Sequence, residues 1–114
     1  MTAYFILVPP KVEAQELVND QSCVWGQDAQ ISWKFSGIEK PQVTWFFNGQ
    51  LLPTNVRFQL TETDDGTSIL LIHKAELADQ GVYIARAANT VGEAEAKTTL
   101  NIVSTKPIIN TDLD

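Results

Sequence analysis

An all-β, antiparallel sandwich is the fold class that this sequence predicts, and three observations carry it. Apolar residues recur at every second position through most of the chain. Gly, Pro and Asn break that alternation about every ten residues. No stretch carries a helical stripe of useful length. The 114 residues suit one domain with short tails, and the 44% of apolar residues is enough for a packed core. Charged residues, at 19%, are too few for a disordered acidic tail. The formal charge of -6 would repel a polyanion, which argues against nucleic acid as a partner. No apolar run approaches the ~18 residues of a membrane span. Residues 4–8 are apolar but short, lack a basic lead and run into Pro9-Pro10, so they do not read as a signal peptide.

Taken in order, Pro9-Pro10-Lys11-Val12 reads as a first edge strand, where an unpaired N–H makes proline tolerable. Residues 22–25 read as a second edge piece, and Gly26-Gln27-Asp28 as a turn. Ala29, Ile31, Trp33 and Phe35 then face inward, with Gln30, Ser32 and Lys34 outward. After a loop over 37–41, Val43, Trp45 and Phe47 face inward and Phe46 outward. Asn48-Gly49 is a tight-hairpin signal, because both residues accept positive φ. Leu51-Leu52 makes a short return that Pro53 ends. Residues 57–63 form a strand with Phe58 and Leu60 on one face, and Asp64-Asp65-Gly66 turns it. Residues 67–74 form the most apolar strand, and Leu77 plugs the loop that follows. Tyr83, Ala85 and Ala87 share one face of the next strand. The last strand covers 93–103, with Leu100 and Ile102 inward.

The stretch over 78–92 is the most specific. It pairs Asp79-x-Gly81-x-Tyr83, a tight corner feeding a strand, with Asn89-x-x-Gly92, a hairpin turn leaving it. Such a corner tyrosine buries its ring and returns its hydroxyl to the upstream backbone. With Trp45 upstream, this resembles the immunoglobulin superfamily, specifically the I-set, over residues 10–103. Two positions depart from the family pattern. Gly26-Gln27-Asp28-Ala29-Gln30-Ile31-Ser32-Trp33 puts Trp33 where one family cysteine would stand, and Ala85 stands where the other would be. The resemblance implies that these positions face each other across the sandwich, so that a large indole meets a small partner. The missing staple is worth ~2–4 kcal/mol. Burying Trp33 beside Trp45 and Ala85 supplies something of that order.

The resemblance also implies a salt bridge between Arg57, opening its strand, and Asp79 of the corner. Cys23 is the one cysteine, so no internal disulfide is available, and the cytoplasm is the expected compartment. None of the six asparagines has Ser or Thr two places on, so no glycosylation acceptor is present.

The chain is similar to intracellular I-set domains of the titin, twitchin, obscurin and myosin-binding protein C group of muscle proteins. That implies a load-bearing and scaffolding module of the sarcomere or cytoskeleton, with sarcomeric proteins and neighbouring domains of its own chain as partners. Two other readings stay open: an extracellular adhesion or receptor domain, and a regulatory domain adjoining a muscle protein kinase. The expected layout is a linker or the end of a preceding domain over 1–8, the domain over 9–103, and a polar tail or linker over 104–114.

No catalytic, cofactor or metal site is expected. His73 has no second ligand near it in sequence, Asp64-Asp65-Gly66 lacks the alternating oxygen ligands of a calcium loop, and no triad is suggested. Outward apolar residues are the candidate partner surface: Ile69 and Leu71 on one sheet, Phe46 and Ile84 on the other, and Trp25 at a loop edge. Cys23 is expected to be buried.

Overall fold

The computed structural model describes residues 6–13 and 20–104. Nine strands follow in order: β1 (Val8–Val12), β2 (Asp20–Val24), β3 (Ala29–Ile38), β4 (Gln42–Phe47), β5 (Gln50–Leu51), β6 (Phe58–Glu62), β7 (Thr67–Ile72), β8 (Gly81–Asn89) and β9 (Gly92–Val103). A 3-10 turn, Leu77–Asp79, precedes β8. The strands make two sheets, ordered β1-β3-β7-β6 and β2-β9-β8-β4-β5. Every pairing is antiparallel except β2 on β9, which is parallel from Asp20↔Thr99 to Val24↔Val103.

Alternation places the core as the pleat requires, because successive side chains leave a strand on opposite faces. Ile31, Phe35, Leu70, Ile72, Tyr83, Ala85, Ala87 and Leu100 are all buried between the sheets. Ile69 and Leu71 alternate with Leu70 and Ile72 and are half-buried on the outer face. Asn48 and Gly49 adopt φ of 50° and 86°, the two positive values that a tight two-residue hairpin turn needs. β3 extends past the expected Phe35 to Ile38, because β1 lies along it and pairs Val8 with Ile38.

Several expectations need correction. Leu77 does not plug the core: it is 54% exposed. It opens the 3-10 turn, and the buried residue of that turn is Asp79. Trp25 lies in the turn after β2 and not in the strand. β7 ends at Ile72, so His73 and Lys74 follow the strand and do not belong to it. Leu60 faces inward in register with Leu70 yet stays 37% exposed, because β6 is the sheet edge. The expected linker and tail fall partly outside the described residues, over 1–5 and 105–114.

Candidate functional site

Three regions hold the residues singled out above. The first is the centre of the sandwich. Trp45 pairs with Ala85 across β4 and β8, and both are buried. Trp33, on the opposite sheet, stacks on Trp45 with ring centroids 5.4 Å apart and planes 25° off parallel. Trp33 is only partly buried, so its ring packs against the core and is not enclosed by it. The Trp45 indole N–H crosses between the sheets and donates to Ser68 Oγ at 2.8 Å. Ser68 is buried at an inward position of β7 and satisfies a donor that burial would otherwise strand. Sequence reasoning missed it. The available signal was a serine at an inward position of the most apolar strand.

The second region is the corner. Asp79 is 3% exposed, and three donors hold its carboxylate. Arg57 approaches its two oxygens with Nη2 to Oδ1 at 2.7 Å and Nη1 to Oδ2 at 3.0 Å. The Glu76 amide donates to Oδ2 at 2.8 Å. The Tyr83 hydroxyl donates to the Asp79 carbonyl at 2.7 Å. The Arg57 guanidinium also sits over the Phe58 ring, 5.0 Å from its centroid. Arg57 precedes β6 and Asp79 precedes β8, so the pair joins the ends of the two sheets. A planar fork meeting a carboxylate in two bonds is the strong form of such a pair. Burial, and then the Asp79 charge, push the Tyr83 hydroxyl far above its ordinary value of 10.0, against the opposing pull of Arg57.

The third region is the outer surface. In register across the five-stranded sheet lie Leu51, Phe46, Ile84 and Lys97. Leu51 is 67% exposed, while Phe46 and Ile84 are half-buried. The Arg86 guanidinium lies 5.3 Å from the Phe46 ring centroid and bonds Glu95 at 2.8 and 2.9 Å. Thus Phe46 and Ile84 are neighbours in one apolar row with a charged border. Leu51 belongs to that row and was overlooked, although a two-residue turn at Asn48-Gly49 puts it opposite Phe46. On the other sheet, Ile69 sits between Ser32 and Thr61, and Leu71 between Gln30 and Gln59. Polar neighbours break that patch up. Trp25 is 48% exposed and lies apart from both, its amide bonded to Val103 O at 2.8 Å.

Cys23 is buried against the core, and its thiol lies 3.4 Å from Val24 O and 3.6 Å from Gln27 O. Burial, with Asp28 and Asp79 adding to it, raises its pKa. Such a thiol is a poor nucleophile. His73 is half-buried, with Nδ1 3.6 Å from Asp28 Oδ2. Among the described residues, no group of three His, Cys, Asp or Glu side chains is placed to hold a metal, and no helix is long and apolar enough to cross a membrane.

Two facing sheets, a buried tryptophan on the strand beside that of the corner tyrosine, and that corner together define an immunoglobulin-like β-sandwich. The family model for the immunoglobulin I-set domain matches residues 11–102, and the chain belongs to that family. It is 36% identical over 110 residues to titin of Drosophila melanogaster, covering 95% of this chain and 1% of that protein. It is 34% identical over 104 residues to hemicentin-2 of Mus musculus, covering 91% of this chain and 2% of that one. It is 35% identical over 88 residues to cardiac-type myosin-binding protein C of Homo sapiens, covering 77% and 7%. The chain thus spans 1–2% of the length of the first curated relatives it matches. Among solved structures, titin domain M7 aligns with a TM-score of 0.80 at 24% identity, covering 88% of this chain and 99% of that one. A chain of the titin M10–obscurin-like 1 Ig complex aligns with a TM-score of 0.78 at 28% identity, covering 87% and 98%.

Proposed function

We propose that residues 9–103 form a non-catalytic, load-bearing module of a large intracellular muscle protein, one of a row of such domains. The observation that carries this reading is the parallel pairing of β2 on β9. β2 lies near the start of the domain and β9 ends it. A pull applied through the two ends draws these strands in opposite directions along their length. All their ladder bonds are then loaded together, and none can open ahead of the others. The entry of the chain is tied as well. Asn89 Nδ2 donates to Val8 O at 2.8 Å and to Glu39 O at 2.9 Å. A methyl on Gly92 would come within 2.9 Å of Pro9 Cβ, so β1 enters against the Asn89 turn with no room to spare. Single-molecule stretching of a tandem of this domain tests the reading. Trp25→Pro withdraws the amide bonded to Val103 O and is expected to lower the unfolding force. An unchanged force in that variant contradicts a load path through β2 and β9.

A docking role is supported by the row Leu51, Phe46 and Ile84, and by the likeness to a domain solved in complex with another immunoglobulin domain. The expected partners are sarcomeric or cytoskeletal proteins. Capture from striated-muscle lysate by the wild type and by Ile69→Glu/Leu71→Glu, with loss in Phe46→Glu/Ile84→Glu, supports that face. Equal capture by all three folded proteins contradicts it.

A further inference from the structure

Asn48-Gly49 carries a chemistry that the roles above do not use. In a flexible chain, the amide nitrogen after an asparagine attacks the asparagine side-chain carbon, and glycine there hinders the attack least. Of the six asparagines, only Asn48 precedes glycine; Asn19, Asn55, Asn89, Asn101 and Asn110 precede Asp, Val, Thr, Ile and Thr.

The folded turn holds Asn48 away from this reaction. Its amide donates to Val82 O at 2.8 Å, and its Oδ1 accepts the Val82 N–H at 2.9 Å. A methyl built on Gly81 would lie 2.5 Å from Oδ1 and 2.8 Å from Nδ2, so the side-chain amide rests directly on the start of β8. To react, it must leave β8 and swing over the Gly49 nitrogen, which breaks the bond to Val82.

We propose that Asn48 is a self-modification site that the folded domain keeps closed and that opens when the β4–β5 hairpin parts from β8. In the open state the Gly49 nitrogen loses its proton to solvent base and bonds to Asn48 Cγ. The Cγ–Nδ2 bond breaks, and the departing nitrogen takes up a proton and leaves as ammonia. Water then opens the resulting five-membered ring at either carbonyl, leaving aspartate or isoaspartate. Isoaspartate lengthens the backbone by one carbon. The two-residue turn no longer fits, and Leu51 loses its register with Phe46. Each unfolding event therefore exposes the outer apolar row to permanent damage.

The wild-type chain tests this without any variant. It is held in mildly alkaline buffer, folded in one sample and urea-denatured in the other, and peptide mapping resolves asparagine from its two acidic products over time. In the denatured sample Asn48 is modified ahead of Asn55, Asn89 and Asn101. In the folded sample its rate is at least about ten-fold lower, because only the locally open fraction reacts. Equal rates in the two samples overturn the gate. A denatured chain that does not favour Asn48 overturns the site itself.

Discussion

The corner and the centre of this sandwich do the same task, joining one sheet to the other, by different physics. At the corner, Asp79 collects three donors and its carbonyl a fourth. These bonds are directional, and losing one partner strands the rest in a buried place. At the centre, Trp33 and Trp45 join the sheets through ring contact, with one hydrogen bond to Ser68. Packing of this kind is graded: its value falls with the area removed and with the cavity left behind. A sandwich without a central disulfide can thus be closed by one polar and one apolar tie, and the two should fail differently.

Trp45→Ala should have the largest effect, about 3–5 kcal/mol in urea unfolding, since it opens a cavity and leaves Ser68 without its donor. A loss below about 1 kcal/mol would mean that the centre collapses around the gap. Asp79→Ala follows at roughly 3 kcal/mol, the low end for a broken buried pair, because Arg57 is 28% exposed and can turn to water. A smaller loss in Arg57→Ala combined with Asp79→Ala than in Asp79→Ala alone would show that the cost lies in the stranded partner. Tyr83→Phe removes a single bond to the Asp79 carbonyl and should cost about 1 kcal/mol. Leu77→Ala should stay within ~0.5 kcal/mol, as its exposure requires.

The two ties also separate by pH. Tyr83 is held neutral in the fold, with its pKa raised above the ordinary 10.0. Its contribution is therefore complete below pH 10.0 and declines as pH rises above it, since the unfolded chain ionises first. Urea midpoints should fall across that range in the wild type and fall less in Tyr83→Phe. Parallel slopes would remove the tyrosine from the account.

Much of this was legible in the sequence, for a geometric reason. A strand puts alternate side chains on opposite faces, so Tyr83 sets the facing of Ala85 and Ala87 and Trp45 that of Val43 and Phe47, while register with the resembled family put Ile69 and Leu71 outside Leu70 and Ile72. What alternation does not carry is long-range pairing. Nothing in residues 20–24 announces the parallel partner at 99–103. Nor does alternation survive a 3-10 turn, which is why Leu77 points outward and Asp79 inward. Alternation puts Ser68 inward with Leu70 and Ile72, but not its partner, an indole on the other sheet.

A non-covalent aromatic contact closes the centre of the sandwich, and Trp33→Ala removes it. Equilibrium urea unfolding should show a loss of about 2–3 kcal/mol, less than for a fully buried tryptophan because Trp33 keeps part of its ring in water. A loss below about 0.5 kcal/mol, the size of an ordinary surface change, would mean that the stack on Trp45 contributes nothing and that the sheets are held elsewhere.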